Sequence, residues 1–502
     1  MTHSVDLLRD LPFLRKVDSR LVSYNIEMTE VTGGTFWKEY TPQQIEGRES
    51  FSVSGLTGDF TAVADLMQYY PPIDLSHPRL RAAAKALGPA WVRVSGSWAT
   101  KTYYDFEGTT KGTPPEGYAS VLTKEQWAGV LDFVSAVGAK LLISVSNCAG
   151  DHPGGGPLDL TQTKKIFDFS HAYGVEIDAC EFMNEPNMLE FSGAPKGYTA
   201  EDFVRDQDIF NGWVREHYPN CLIVGPCTLG DGALGKGDVK RMGAGIGSGM
   251  KICSTHDLLQ GARVPLDVFS YHYYNGVSER LASVMPSGHW NSEDALSDAY
   301  LSVAAENVKT YLPLRDRYVP GSPLWVTESG DAGGGGNTWA STYLDVFRTL
   351  NELGSFASLT DGVIFHNTLA SSDYGFLRHT TFSARPNYYA VLLWNRIMGQ
   401  AVFDASSLCE KDLKVYCHSR KDGAEGMAYL VINTSEEERS LRLPGAAEVY
   451  RLSAETLRSP ILQLNGEDLA PDVEFASFSP VPRRVAEGSF SLPSTSCAFL
   501  VV

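Results

Sequence analysis

Two glutamates stand at the ends of separate apolar segments and could act together on one bond. Glu185 closes the segment IDACEFMNE, and Glu328 closes LWVTE. A protonated carboxylic acid and an ionised carboxylate about 5 to 5.5 Å apart can cleave a glycosidic bond with retention of configuration. Asn184, directly before Glu185, is of the right type to hydrogen-bond a sugar 2-hydroxyl in such a site. An ordinary turn or a solvated loop would explain either glutamate alone, so the elements that carry them decide between the two interpretations.

The chain contains eight short apolar runs that end in polar or glycine residues. They are RLVSYNIEM, AWVRVSGS, KLLISVSN, IDACEFMNEP, CLIVGPC, LDVFSYHYY, LWVTESG and GVIFHN. Between most of them lie segments with a helical period, such as KEQWAGVLDFVSAVGAK and STYLDVFRTLNELG. Eight strands that alternate with helices between Leu21 and Phe365 predict an α/β fold, the (β/α)8 or TIM barrel. An open, doubly wound sheet is the alternative.

The polar ends of these runs favour the barrel, because strand C-termini converge on one face in that fold. Nearly every run ends in residues capable of chemistry, namely Glu27, Arg93, Asn147, Asn184, Glu185, His272, Glu328 and His366. Pro186 disfavours the helical conformation at the residue before it, so we expect strand geometry to continue up to Glu185.

The texture of the sequence changes at about Ala401, after which short β-type runs alternate with turn residues. We therefore predict a catalytic barrel at residues 19–400 and a β-sandwich at residues 401–502. Residues 1–18 precede the first barrel strand, and we expect them to add a strand to the sandwich.

The composition excludes several classes of partner. The chain has 502 residues and a formal net charge of -18, which argues against nucleic acid and anionic membranes and leaves carbohydrate as the expected partner. No apolar leader or membrane-length run is present, so we expect a soluble protein without a signal peptide in this chain, either cytoplasmic or secreted with its signal removed. The eight cysteines form no CxxC pair. We therefore predict no metal and no organic cofactor, and leave cysteine pairing open.

Several motifs resemble one family of retaining barrel glycosidases. FMNEPN, SYHYYNG, TESGDAGGGGN, RPNYYAVLLWNRIMG, LQLNGEDL and SFSLPSTSCAFLVV are similar to segments of the heparanase and β-glucuronidase family, glycoside hydrolase family 79. The resemblance runs from RLVSYNIEM to the last predicted strand. It implies that Glu185 is the general acid/base and Glu328 the nucleophile. It also implies that His272 and Tyr274 line the sugar subsite and hydrogen-bond the nucleophile.

The same resemblance implies how a substrate carboxylate is held. The loop DAGGGGN, with Gly334 and Gly335, matches a segment whose backbone amides bind that carboxylate together with a tyrosine that aligns with Tyr388. Glu27 matches an acidic subsite residue, and Arg93 matches an arginine that supports the catalytic carboxylates from beneath. A flexible glycine loop and a structural ion pair are the competing interpretations of these two features.

The segment after Glu185 departs from the family members that cut sulfated polymers. Those resemble one another in having lysines shortly after Asn-Glu-Pro, whereas this chain has Met188, Leu189, Glu190 and Phe191. We therefore expect an exo-acting β-glucuronidase that removes a terminal β-linked glucuronate, with its pocket walled by inserts at residues 28–75 and 228–262. The alternatives are an endo-β-glucuronidase on glycosaminoglycan chains, another retaining barrel glycosidase, and a non-catalytic carbohydrate-binding relative.

Overall fold

The computed structural model describes residues 4–8, 10–51, 66–230, 252–282 and 288–502. Eight parallel strands form a closed barrel in which each strand pairs with the next in chain order and the eighth pairs with the first. In order they are Val22–Glu27, Trp91–Ser95, Lys140–Ser144, Ala179–Glu181, Leu222–Leu229, Val268–Val277, Leu324–Gly333 and Ile364–His366. All eight predicted runs are thus strands, and closure of the sheet rules out the open alternative.

Helices surround the barrel, which explains why its strands read as nearly continuous apolar runs. A parallel strand covered by helices on one side and by the barrel interior on the other is buried on both faces, as the wholly buried strand Val22–Glu27 illustrates. The longer helices are Pro78–Leu87, Lys124–Val137, Thr161–Tyr173, Ala200–His217, Val303–Tyr318, Tyr343–Leu359 and Pro386–Ile397. Shorter helices span Met28–Thr32, Pro42–Ile45, Thr255–Leu259 and Asp298–Leu301.

A second, sheet-rich part follows the barrel. One sheet contains Phe13–Lys16, Met398–Phe403, Leu413–Arg420, Met427–Asn433, Ala447–Ser453, Gln463–Leu464, Glu467–Asp468, Arg483–Val485 and Ser496–Val501. A smaller sheet contains Ser4–Asp6, Arg439–Leu443 and Gly488–Leu492. Two N-terminal strands therefore pair with C-terminal ones. The strand that starts at Met398 crosses residue 400, and the domain boundary placed there stays a prediction.

The larger sheet is apolar on both faces, because it lies between two cores. Val431 and Leu500 pack toward the smaller sheet, whereas the alternate residues Leu430 and Phe499 belong to the large core that includes the barrel. This alternation is what a β-sandwich docked on a barrel requires.

Two strand pairs lie outside these sheets. Gly34–Trp37 pairs with Met67–Tyr70, and Thr102–Asp105 pairs with Ser120–Thr123. The first of these pairs stands beside the C-terminal end of the barrel.

No helix of the described residues is both long enough and apolar enough to cross a bilayer. All eight cysteines are free thiols.

Candidate active site

Glu328 and His272 lie side by side on neighbouring barrel strands. The seventh strand, Leu324–Gly333, continues past Glu328, and its register with the sixth strand places His272 directly opposite that glutamate. The Nδ1 atom of His272 is 2.9 Å from Oε2 of Glu328. Because both side chains are buried, this contact fixes the orientation of the Glu328 carboxylate.

Glu185 reaches the same point from a turn and not from a strand. The fourth strand, Ala179–Glu181, ends four residues earlier, and Glu185 has left-handed backbone angles of φ 45° and ψ 55°. The expectation of extended geometry up to Glu185 was therefore wrong. Hydrogen bonds hold the turn, since the Ser192 hydroxyl and the Met188 amide both donate to the Glu185 carbonyl, over 2.8 and 3.1 Å.

The two glutamates face each other across a gap that a sugar carbon can occupy. A carboxylate oxygen of Glu185, one of Glu328 and a ring nitrogen of His272 all lie within 4.8 Å of one another. This separation is close to the spacing of about 5 to 5.5 Å that a double displacement requires.

The surroundings push the pKa values of the pair apart. Burial raises the pKa of Glu185, and the charge of Glu328 adds to the effect. Burial would also raise the pKa of Glu328, but His272 and Arg93 outweigh it and hold that pKa below its ordinary value. One carboxyl is thus favoured as an acid and the other as an ionised nucleophile, which is the assignment that acid/base catalysis by paired carboxyls needs.

His272 connects this pair to a buried arginine. Its Nδ1 also lies 3.1 Å from Oε1 of Glu185, and its Nε2 lies 3.3 Å from a guanidinium nitrogen of Arg93. Burial acts to lower the pKa of His272. The neighbouring Glu328 and Glu185 outweigh this and raise that pKa above its ordinary value, although the charge of Arg93 opposes the rise. That shift alone would favour the charged ring. An arginine nitrogen can only donate, however, so Nε2 must be the acceptor, and this contact decides for a neutral ring with its proton on Nδ1, shared between the two carboxyls.

Arg93 also orients the amide of Asn184. Its guanidinium donates to Oε1 of Glu181 over 2.7 Å and to Oδ1 of Asn184 over 2.7 Å. Because the asparagine oxygen is used in this way, its NH2 group points away from Arg93 and donates to the hydroxyl of Ser97, a residue of the cleft wall, over 3.4 Å. Arg93 therefore acts beneath the site, and its ion-pair partner is Glu181 instead of either catalytic candidate.

Glu27 is a third carboxyl in the site. It ends the first barrel strand, and its side chain lines the cleft beside that of Glu328. Burial raises its pKa well above the ordinary value, and the charge of Glu328 adds to the effect. This shift favours Glu27 as the protonated member of the two, and a protonated carboxyl can donate a hydrogen bond to the Glu328 carboxylate. The glycine at position 96 leaves room for it, since a Cβ there would collide with the Glu27 carboxyl.

The carboxyls open into a cleft of about 510 Å³. Six predicted site residues line it, namely Glu27, Asn184, Glu185, Tyr274, Glu328 and Gly334. Arg93 and His272 are fully buried below the cleft and reach a substrate only through the side chains they hold. The described part of the first expected insert, through Phe36, Trp37 and Met67, also lines the cleft. Residues 52–65, and most of the second insert, lie outside the described residues.

Tyr274 and Tyr374 form a pair on the Glu328 side of the cleft. Their rings stack at 6.3 Å between centroids, and the Asn367 amide donates to both hydroxyls, over 3.0 and 3.1 Å. Each phenol oxygen therefore accepts a hydrogen bond and keeps its own proton to donate. No described residue accepts from either hydroxyl, so both are available to a ligand.

Two predicted carboxylate-binding residues do not line the cleft. Tyr388 lies on the helix Pro386–Ile397, is fully buried, and donates to the Ala83 carbonyl over 3.0 Å. Its prediction as a substrate contact was wrong, because that helix is buried along nearly its whole length and Tyr388 packs in the core. Gly335 lies one residue beyond the cleft wall, where its carbonyl accepts from the Ser372 hydroxyl over 2.9 Å.

The glycine loop has the conformation that its composition predicts. Gly334, Gly335 and Gly336 have φ values of 91°, 90° and 86°, a region that side-chain-bearing residues rarely adopt. Arg280 holds the loop by donating to the Gly334 and Gly336 carbonyls, over 3.3 and 2.8 Å. The loop is therefore a built wall of the cleft and not a flexible connection.

The predicted strand-end residue His366 has a structural role. His366, at the end of the eighth strand, contacts the Tyr374 carbonyl, and burial with the charge of Arg348 lowers its pKa to about 3.

Among the described residues, the one cluster with the donor atoms for a metal is Glu185, His272 and Glu328. A cation there would occupy the space between the two carboxyls that a sugar carbon needs.

Three residues of the site were missed from the sequence. Glu181 lies inside the apolar run IDACEF, and its burial beside an arginine strand could have indicated an ion pair. Asn367 is the last residue of the eighth run, GVIFHN, in which only His366 was singled out. Tyr374 lies in SSDYGF, a loop without periodicity, and nothing in the sequence singles it out.

Comparison with known proteins identifies relatives of this chain. The chain matches no protein-family model. It is 26% identical over 488 residues to heparanase-like protein 1 of Arabidopsis thaliana, covering 86% of this chain and 85% of the relative. It is 22% identical over 452 residues to the baicalin-beta-D-glucuronidase of Scutellaria baicalensis, covering 82% and 80%.

A solved structure matches nearly the whole chain. A 4-O-alpha-L-rhamnosyl-beta-D-glucuronidase from Fusarium oxysporum has a TM-score of 0.65 over 99% of this chain and 100% of its own, at 13% identity. At this identity the match supports the fold alone, and it agrees with the barrel and its added sheets.

Proposed function

We propose that this glycoside hydrolase, a relative of the heparanase-like proteins and glucuronidases of glycoside hydrolase family 79, is a retaining β-glucuronidase that releases terminal β-linked glucuronate. One observation carries the proposal. Glu185 and Glu328 lie within 4.8 Å of each other with pKa values shifted in opposite directions.

The proposed reaction is a double displacement. The Glu328 carboxylate attacks the anomeric carbon while Glu185 gives its proton to the glycosidic oxygen, so that the carbon–oxygen bond breaks and the aglycone leaves as a neutral alcohol. Glu185, now ionised, takes a proton from water, and the water oxygen attacks the same carbon and breaks its bond to Glu328. The sugar leaves with its β configuration, and both carboxyls regain their starting states.

In this proposal the uronate is held on the Glu328 side of the cleft. Tyr274 and Tyr374 present two phenol protons there, because Asn367 occupies an acceptor position of each hydroxyl. Gly334 lines the same side. Phenols and backbone amides that donate into a largely apolar cleft suit a carboxylate, since hydrogen bonds to a charged acceptor are stronger than those between neutral groups.

The alternatives predict other outcomes. An endo-acting heparanase-like enzyme would cleave within glycosaminoglycan chains, and a xylosidase or glucosidase would not require a uronate. A non-catalytic carbohydrate-binding protein has no use for a buried pair of carboxyls in opposite protonation states, which argues against that alternative.

A panel of p-nitrophenyl glycosides tests the substrate. We expect the β-glucuronide to be hydrolysed with a higher kcat/KM than the β-glucoside, β-xyloside and β-galactoside. A preference for any of the three neutral sugars would refute the assignment of uronate binding.

Azide rescue tests the two carboxyl roles with a matched pair of variants. Glu328→Ala should fold normally and lose turnover, and azide should restore cleavage with a glycosyl azide of inverted, α configuration. Glu185→Ala should instead yield the β-azide, because the nucleophile is intact and azide replaces water in the second step. Wild-type turnover in Glu328→Ala, or the same anomer from both variants, would contradict the mechanism.

A further inference from the structure

The chemistry of the proposed reaction fixes where the leaving group must lie. The general acid gives its proton to the glycosidic oxygen, so the aglycone occupies the part of the cleft next to Glu185. The glucuronate occupies the part next to Glu328, Tyr274 and Tyr374. The residues around Glu185 therefore decide which aglycones are accepted.

Those residues are apolar. Met188 and Phe191 follow Glu185 within a few positions and line the cleft, as does Leu229 at the end of the fifth strand. Phe191 is 50% exposed, so its ring lies at the mouth of the cleft. Trp98, after the second strand, lines the cleft as well and packs edge-on against Phe36 at 5.3 Å.

The apolar wall is held in place by hydrogen bonds. Asn187 donates to the Leu229 carbonyl over 2.6 Å and accepts from the Leu229 amide over 3.0 Å. This pair ties the turn that carries Met188 to the end of the fifth strand. The wall is thus set before a ligand arrives, which lowers the entropic cost of binding.

The charge of the cleft is unsuited to an anionic aglycone. Among the described residues that line it, Lys101 is the one basic side chain, and burial lowers its pKa. Three carboxyls, Glu27, Glu185 and Glu328, line the same space. A sulfated or uronate-rich chain would need several cations here to offset its own desolvation.

We propose that the part of the cleft beside Glu185 is an aglycone subsite for aromatic or otherwise apolar leaving groups, formed by Met188, Phe191 and Leu229. This inference rests on the proposed function, because it assumes that Glu185 protonates the leaving oxygen. It deepens that function by naming the substrate class as glucuronides of apolar aglycones.

The test compares two glucuronides in one set of variants. The substrates are 4-methylumbelliferyl β-glucuronide, with a fused aromatic aglycone, and a glucuronosyl-β-1,3-N-acetylglucosamine disaccharide, with a polar one. The variants are Phe191→Ser and Met188→Gln. The control is Tyr173→Ser, which removes an aromatic ring of similar exposure, 46%, at the end of a helix away from the cleft. Thermal unfolding establishes that each variant is folded.

We expect each cleft variant to lower the aryl-to-disaccharide ratio of kcat/KM by about five- to tenfold, mainly through KM, as the loss of a partly buried apolar side chain predicts. The ratio in Tyr173→Ser should equal that of the wild type. Because the intrinsic reactivity of each leaving group is the same in variant and wild type, the change in the ratio reports binding alone.

An unchanged ratio in both cleft variants, or an equal loss on both substrates, would overturn the subsite. So would a wild-type preference for the disaccharide that Lys101→Met removes. Failure of the proposed function is recognised separately, because the wild type would then prefer 4-methylumbelliferyl β-glucoside. The Phe191→Ser effect can still be measured on that substrate against a disaccharide of the same sugar.

Discussion

The protonation state of Glu27 gives the sharpest prediction about the site. Its carboxyl lies beside that of Glu328 in the cleft, and burial together with the charge of Glu328 raises its pKa. Were both glutamates ionised, two unit charges about 4 Å apart would repel by about 4 kcal/mol at an effective dielectric constant of about 20. A proton on Glu27 removes this repulsion and supplies a donor that stabilises the ionised nucleophile.

Glutamine at position 27 keeps the features that this reasoning requires. Its NH2 group can donate to Glu328 as the protonated carboxyl would, so Glu27→Gln should lower kcat/KM by no more than about tenfold. Glu27→Ala removes the donor, and loss of a hydrogen bond to a charged group, worth about 1.5 to 3 kcal/mol, should lower kcat/KM by about 10- to 150-fold.

The assay is hydrolysis of p-nitrophenyl β-glucuronide across a range of pH, with thermal unfolding as the control for folding. The acid limb of kcat/KM should move to higher pH in Glu27→Ala, because the pKa of Glu328 rises when its donor is lost. In Glu27→Gln that limb should stay near its wild-type position. If Glu27→Gln is as damaging as Glu27→Ala, Glu27 acts as a charged subsite residue and the reasoning is wrong.

Three further predictions follow from the same contacts. The rate constant kcat/KM should rise with pH as Glu328 ionises, below the ordinary range of glutamate, and fall as Glu185 loses its proton above that range; an alkaline limb that persists in Glu185→Gln would assign it to another group. Arg93→Met should destabilise the protein by about 3 to 5 kcal/mol in urea unfolding, because it leaves a buried carboxylate unpaired; a loss below about 1 kcal/mol would mean that the pair contributes little. Tyr374→Phe should raise KM for the glucuronide more than for the matching glucoside, whereas Tyr388→Phe should leave both KM values unchanged, and the reverse pattern would restore Tyr388 to the cleft.

The barrel could be predicted from the sequence because each of its strands is marked twice. Each is an apolar run, as burial on both faces demands, and each ends in a polar or glycine residue where the chain leaves the barrel. Both features can be recognised in the sequence without any knowledge of the tertiary structure. The candidate catalytic glutamates were found for the same reason, since Glu185 and Glu328 stand where two such runs end.

The remaining errors come from segments whose geometry is set by contacts distant in sequence. Tyr388 belongs to a helix that is buried along nearly its whole length, while Tyr374 lies on a loop that the Asn367 amide holds at the cleft. The backbone of Glu185 is turned by hydrogen bonds from Ser192 and Met188, and no local propensity predicts that conformation. The family resemblance therefore pointed to Tyr388, a residue of the right type that lies away from the cleft.

The two N-terminal strands have a consequence for how the molecule is made. Ser4–Asp6 and Phe13–Lys16 leave the ribosome before the barrel, yet their partners, Arg439–Leu443 and Met398–Phe403, are synthesised only after the whole barrel. Chains are translated from the N-terminus and fold as they emerge. The backbone hydrogen-bonding groups of these two strands therefore stay unpaired while the barrel is completed. A ribosome stalled before residue 398 would present such an edge to neighbouring nascent chains, and unpaired edges of this kind promote aggregation.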